Sequence, residues 1–220
     1  MSSYLNPELI NLYKTIQTEV QELINDLQKH KNSAEYFQEI RKADREENYI
    51  NWSNVQKASR FIYLNRTCFN GLYRVNSKGY FNVPFGKYLN PTICNEENLL
   101  ACHKALKTTQ IELADFSKIL DFTEKGDFVY FDPPYVPLNE TSDFTSYTKQ
   151  GFNKHNQEEL RNLCNELNKR GVFFMLSNSD TPFIHELYRD YKINLVFASR
   201  AINSAATKRG KITEVIIKNY

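Results

Sequence analysis

The run Phe128-Val129-Tyr130-Phe131-Asp132-Pro133-Pro134-Tyr135 limits what this chain can fold into more than any other segment. Four β-branched and aromatic residues in succession specify a buried strand. The two prolines behind them offer no N–H to a neighbouring strand and lock φ, so the chain must leave the sheet at Asp132. The product is a stiff turn at the carboxyl end of a strand, the edge at which open α/β sheets bind ligands. That turn presents one carboxylate, backbone carbonyls of fixed direction and one aromatic ring. An exocyclic amino group on a flat base needs the same parts, acceptors for its N–H bonds and a ring to stack on.

The second half alternates between periods. Strands are expected at Thr109 to Leu113, Asp127 to Phe131 and Val172 to Leu176, with two more near Asn194 to Ala198 and Ile212 to Asn219. Helices are expected at Gln157 to Arg170, stopped by Gly171, and at Thr181 to Tyr191. This alternation specifies an α/β fold with a largely parallel sheet. The first half reads as helical: Pro7 to Lys29 with Asn6 as its cap, a polar surface helix within 33–47, Ile50 to Leu64, and Glu96 to Lys107. Between them, Asn76-Ser77-Lys78-Gly79 is a turn signal that predicts a hairpin.

At 220 residues the chain suits one domain, or one domain with an insert. No apolar run reaches membrane-spanning length and the first residues are not a signal peptide, so no membrane partner is expected. The four cysteines lack metal-type spacing, which predicts reduced thiols in a cytoplasm and no metal. A net charge of +2 is uninformative, but its distribution is not. From Asn48 to Asn95 there is no Asp or Glu, while six bases and ten aromatics occur there. That combination suits a polyanion whose bases can be stacked, although a locally basic packed subdomain has the same composition. A second acid-free stretch, Tyr191 to Thr213, carries Lys192, Arg200, Lys208, Arg209 and Lys211.

Asp132-Pro133-Pro134-Tyr135 resembles the motif of amino-methyltransferases acting on adenine N6 or cytosine N4. Two further stretches narrow the resemblance. One is Asn65-Arg66-Thr67-Cys68-Phe69-Asn70-Gly71-Leu72-Tyr73-Arg74-Val75-Asn76, continuing to Phe81-Asn82-Val83-Pro84-Phe85-Gly86-Lys87-Tyr88. The other is Phe174-Met175-Leu176-Ser177-Asn178-Ser179. Together they are similar to the Dam-type DNA adenine-N6 methyltransferases, from about Asn6 to Tyr220. The resemblance implies a methyltransferase-like (Rossmann-like) α/β sheet with a small helical and hairpin DNA-recognition lobe. It assigns 1–32 and 105–220 to catalysis and 33–104 to target recognition. It implies S-adenosylmethionine as cofactor and double-stranded DNA as partner, with a GATC-like site in a restriction-modification type system.

By the same resemblance, Asp132 and the Pro133 carbonyl accept the N–H bonds of the target amine, Pro134 stiffens the turn and Tyr135 stacks on the flipped base. Asp115 and Phe116, with Asp132, hold the cofactor. Arg74 reads a guanine, Phe69 and Asn70 enter the space left by the flipped base, and Leu72, Pro84 and Tyr88 contact base edges. Ordinary hairpin packing is the bland reading of Phe69, Leu72 and Pro84. Arg60, Arg66, Lys78 and Lys87 read as phosphate contacts or solvated charges, and Thr141 to Tyr147 as a loop that closes over the base.

One departure is large. All seven glycines lie at or after Gly71, so no Gly-rich loop can approach a cofactor within the first 70 residues. The family also has an Asp where this chain has Tyr4. The sheet is therefore expected to be incomplete at its amino-terminal strands, with an amino-terminal partner segment as one remedy. The alternatives are a catalytically inert DNA-binding remnant, one part of a split enzyme, or a cytosine-N4 enzyme.

Overall fold

The computed structural model describes residues 2–3, 6–137, 152–199 and 211–220. Its contacts divide the chain into two units, Met1–Phe116 and Ser117–Tyr220.

The first unit is built from helices. A two-residue strand β1 (Ser2–Ser3) pairs in parallel with β2 (Ile111–Glu112). The expected single helix from Pro7 to Lys29 is two, α1 (Pro7–Thr18) and α2 (Val20–Leu27), because the backbone leaves helical geometry at Glu19 (φ −136°, ψ 38°). The Thr18 hydroxyl donates to the Lys14 carbonyl one turn back, a bond that competes with the helical ladder and bends it. Asn6 caps α1 through its side-chain oxygen, and Pro7 follows at the first helical position. Next come α3 (Ala34–Lys42), capped by Ser33, and α4 (Asn54–Thr67), opened by a Ser53/Gln56 capping box. The unit's last helix is α5 (Glu96–Leu106).

Helix α4 is the hub. On one side it buries Ala58 with Leu12, Ile16, Leu23, Ile24, Leu27 and Leu99. On the other it buries Tyr63 and Leu64 with Phe37, Ile40, Cys68, Phe81 and Val83. The second cluster mounts the irregular segment after α4. The hairpin expected there is present: Val75 bridges Phe81, and Asn76 Oδ1 accepts the N–H groups of Lys78 and Tyr80. Gly79 closes the turn at φ +86°.

The second unit holds a four-stranded sheet of order β3-β4-β6-β5: β3 (Phe128–Phe131), β4 (Phe173–Ser179), β5 (Lys192–Ser199) and β6 (Lys211–Lys218). Helix α6 (Lys154–Lys169) lies between β3 and β4 in sequence and packs on β4, and α7 (Pro182–Leu187) leads towards β5. The sheet is less parallel than expected. β3, β4 and β5 share one direction, but β6 lies between β4 and β5 and pairs antiparallel to both. A parallel pair needs a helix-length crossover, and no helix separates β5 from β6 among the described residues.

β3 is also less buried than four consecutive apolar residues suggest. Val129 and Phe131 face a core shared with Phe174, Leu176, Leu160, Leu167, Val215 and Ile217, while Phe128 (55% exposed) and Tyr130 (53%) face outwards. β3 ends the sheet, so a strand that reads as buried is an edge strand among the described residues.

Candidate active site and nucleic-acid interface

The turn at Asp132 is held from below by polar residues of β4 and α6. Parallel pairing sets Phe131 opposite Leu176, which brings the next residues, Asp132 and Ser177, side by side. The Ser177 hydroxyl donates to Asp132 Oδ1 (2.9 Å), and the Tyr130 hydroxyl donates to Ser177 Oγ (3.1 Å). Donor counting fixes these directions. A carboxylate only accepts, so the single Ser177 proton points at Asp132 and Tyr130 must supply the other bond. The second carboxylate oxygen has no partner among the described residues.

Behind the prolines, Gln157 Nε2 donates to the Pro134 carbonyl (2.9 Å), Asn178 Nδ2 donates to Gln157 Oε1 (3.2 Å), and the Val136 N–H donates to Asn178 Oδ1 (3.1 Å). The Ser179 hydroxyl donates to the Val136 carbonyl (2.6 Å). Gln157, Ser177, Asn178 and Ser179 are buried, so this network is shielded from competing water. The Pro133 carbonyl is not engaged by any described donor. The Tyr135 hydroxyl donates towards Glu214 of β6 (3.4 Å), and burial raises its pKa, so it stays a neutral donor. Asp132 and Pro134 are exposed. The turn thus offers one carboxylate oxygen and one carbonyl on a rigid mount, an arrangement able to accept the two N–H bonds of an amine.

In the first unit, Asn65 to Tyr88 forms one surface. The Phe69 N–H donates to the Pro84 carbonyl (2.9 Å), the Gly86 N–H to the Thr67 carbonyl (2.8 Å), and the Asn70 N–H to the Tyr88 hydroxyl (3.0 Å). Gly86 is required for this approach, since a Cβ there would stand 2.7 Å from the Cys68 carbonyl oxygen. Asn70 takes a left-handed φ of +54°, which asparagine tolerates. Phe69 (52% exposed), Asn70, Arg74, Pro84 and Tyr88 are exposed, and Leu72 is half-buried. Core packing therefore does not account for Phe69 or Pro84. Phe69, the left-handed Asn70 and Arg74 are all exposed, within a stretch that has no carboxylate between Asn48 and Asn95.

Comparison with known proteins decides what this arrangement belongs to. The family described as D12 class N6 adenine-specific DNA methyltransferase matches residues 2–202. The chain belongs to this family. It is 45% identical to the Type II methyltransferase M1.LlaDCHI of Lactococcus lactis subsp. cremoris, over 98% of this chain and 77% of the relative. It is 42% identical to the Type II methyltransferase M.MjaIII of Methanocaldococcus jannaschii, over 99% of this chain and 79% of that protein. A DNA adenine methylase of Vibrio cholerae is 35% identical over 96% of this chain and 76% of its own length. The chain is accordingly an adenine-N6 DNA methyltransferase by family, as the resemblance implied.

Methyltransferases of this kind generally use S-adenosylmethionine, and part of the donor set fits it. Exposed Asp115 and half-buried Phe116 come three and four residues after the end of β2, and a carboxylate beside an aromatic suits an adenine ring and its amino group. The glycine cradle is not among the first 70 residues, so the fit covers the adenine end.

Sequence reasoning missed Ser177, Gln157, Asn178 and Asn82 as site residues. Ser177 and Asn178 lay inside a quoted motif, and Asn82 inside another, but only the register shows what they touch. Arg60 needs correction. Read as a phosphate contact or solvated charge, it is buried on α4 and pairs with Asp44 at 2.8 Å. The Thr141 to Tyr147 loop lies outside the described residues, as does much of the Tyr191 to Thr213 stretch. No metal-binding cluster and no helix able to cross a membrane occurs among the described residues.

Proposed function

We propose that this methyltransferase acts in the cytoplasm on an adenine flipped out of a GATC-like site in duplex DNA, within a restriction-modification system. Adenine N6 is beyond reach while stacked and paired, so the base must leave the helix. The observation that carries the assignment of roles is the asymmetric Asp132 carboxylate. One oxygen is committed to Ser177, and neither the other oxygen nor the Pro133 carbonyl has a partner among the described residues. These two acceptors take the N–H bonds of the target amine, favour a lone pair localised on N6 and hold that lone pair in one direction. Pro134, fixed by Gln157, keeps the turn rigid, and Tyr135 stacks on the base. Positioning and preorganised dipoles then carry most of the rate.

S-adenosylmethionine, when bound, supplies an electrophilic methyl group on its sulfonium. Asp115 and Phe116 hold its adenine end, and the family resemblance assigns Asp132 to the cofactor as well. Residues 33–104 form the recognition lobe, with Arg74 on a guanine, Phe69 and Asn70 filling the vacated stack, and Leu72, Pro84 and Tyr88 on base edges. Relatives with "Type II methyltransferase" and "DNA adenine methylase" as their names support the restriction-modification and adenine readings.

A second reading, a remnant that binds DNA or one part of a split enzyme, is favoured by the open edge of β3 among the described residues. The test of the main reading is Asp132→Ala. Transfer of labelled methyl groups to duplex DNA should vanish while duplex binding persists. Undiminished methylation by that variant removes Asp132 from the reaction.

A further inference from the structure

Arg74 does not sit on the surface as a freely rotating cation. Its Nε donates to Asn82 Oδ1 (2.7 Å) and its Nη2 to the Asn82 carbonyl (3.3 Å). The Asn82 N–H donates back to the Arg74 carbonyl (3.0 Å), so the two residues face each other across the hairpin. Asn82 is itself held between Phe81 and Val83, both buried in the cluster under α4. The backbone of Phe81 is gripped at both ends. Its N–H donates to Asp44 Oδ2 (2.8 Å), and its carbonyl accepts from Arg45 Nη2 (3.0 Å). Asp44 is anchored in turn by buried Arg60, whose guanidinium also donates to the carbonyls of Ile40 (2.9 Å) and Arg41 (3.1 Å). A continuous chain of bonds therefore runs from the interior of α4 to the exposed guanidinium.

The geometry has a directional consequence. A guanidinium has two edges that offer a pair of parallel N–H donors: the side edge, formed by Nε and Nη2, and the end edge, formed by Nη1 and Nη2. Asn82 occupies the side edge with its two oxygens. The end edge has no partner among the described residues. We infer that Asn82 is a specificity-positioning residue: it blocks the side edge of Arg74 and presents the end edge as the two-donor fork that reads a base. This rests on the proposal that Arg74 reads a guanine, whose O6 and N7 accept such a fork. A guanidinium already fixed in direction loses less rotamer freedom on binding, and one misaligned by a wrong base has no second pose to adopt.

The test is selection from a randomised duplex library with the full chain, read by sequencing, for wild type, Arg74→Ala, Asn82→Ala and Asn82→Asp. Arg74→Ala should erase guanine preference at one position, a loss of roughly 5- to 150-fold. Asn82→Ala should weaken preference at that same position by up to roughly tenfold and leave the other positions alone, since it removes one hydrogen bond to a charged group. Asn82→Asp keeps an acceptor for Nε. It should restore the positional preference even though its added charge lowers affinity for every duplex. A general softening of all positions by Asn82→Ala, or a full retention of the preference that Arg74→Ala erases, overturns the inference. If Arg74→Ala leaves the motif unchanged, or the wild type selects none, the underlying reading of Arg74 has failed and the inference falls with it.

Discussion

At the scale of single residues, the proposed chemistry turns on how one carboxylate is oriented. Ser177 removes one of the two rotational choices open to Asp132, and Tyr130 fixes the hydroxyl that does so. A hydrogen bond to a charged group contributes about 1.5–3 kcal/mol. Ser177→Ala should therefore slow methyl transfer roughly ten- to a hundredfold with little change in duplex affinity, and Ser177→Thr should keep most of the rate. Single-turnover kinetics beside anisotropy binding check this, and an unchanged rate in Ser177→Ala would separate Ser177 from the reaction. Asp132 and Arg74 were legible as candidates because their neighbours form contiguous, unusual motifs. Ser177 and Asn82 were not, because a hydroxyl or an amide acquires a role only from what faces it. Ser177 lies 45 positions from Asp132, and only strand register joins them.

At the scale of elements, α4 was expected as a helix, but its surroundings were not. It is packed on two sides, so Ala58, Ser59, Arg60, Tyr63, Leu64 and Thr67 are all buried, and a charged residue in its sequence does not mark a solvent face. Arg60 and Asp44 form a buried pair with side chains only 6% and 11% exposed. Removing Arg60 leaves the largely buried Asp44 with only Arg45 at 3.9 Å as a counter-charge, which costs up to about 3–5 kcal/mol. Arg60→Leu should lower unfolding stability by that order in urea titration. A loss below about 1 kcal/mol would match an exposed cation instead. The division of the first helix at Glu19 was equally invisible, because Thr18 gives no sign in sequence that its hydroxyl will compete with the ladder.

At the scale of the whole molecule, the open edge of β3 among the described residues has the largest consequence. An edge strand carrying exposed Phe128 and Tyr130, beside exposed Phe173 and Tyr220, is a template for further pairing. The relatives extend beyond the matched region, which covers 77% of one and 79% of another. In analytical ultracentrifugation the 220-residue chain should associate as its concentration rises. A monomer at every concentration would defeat that expectation. The sequence by itself determined the family, the Asp132 turn, the hairpin at Asn76 and most elements, since these depend on local periodicity, prolines and contiguous motifs. Only the tertiary structure decided that β6 inserts antiparallel, that half of β3 is exposed, that Arg60 is buried, and that Ser177 and Asn82 bond to Asp132 and Arg74. Each of those depends on partners distant in the chain, and pairing across that distance is set by packing, not by local preference.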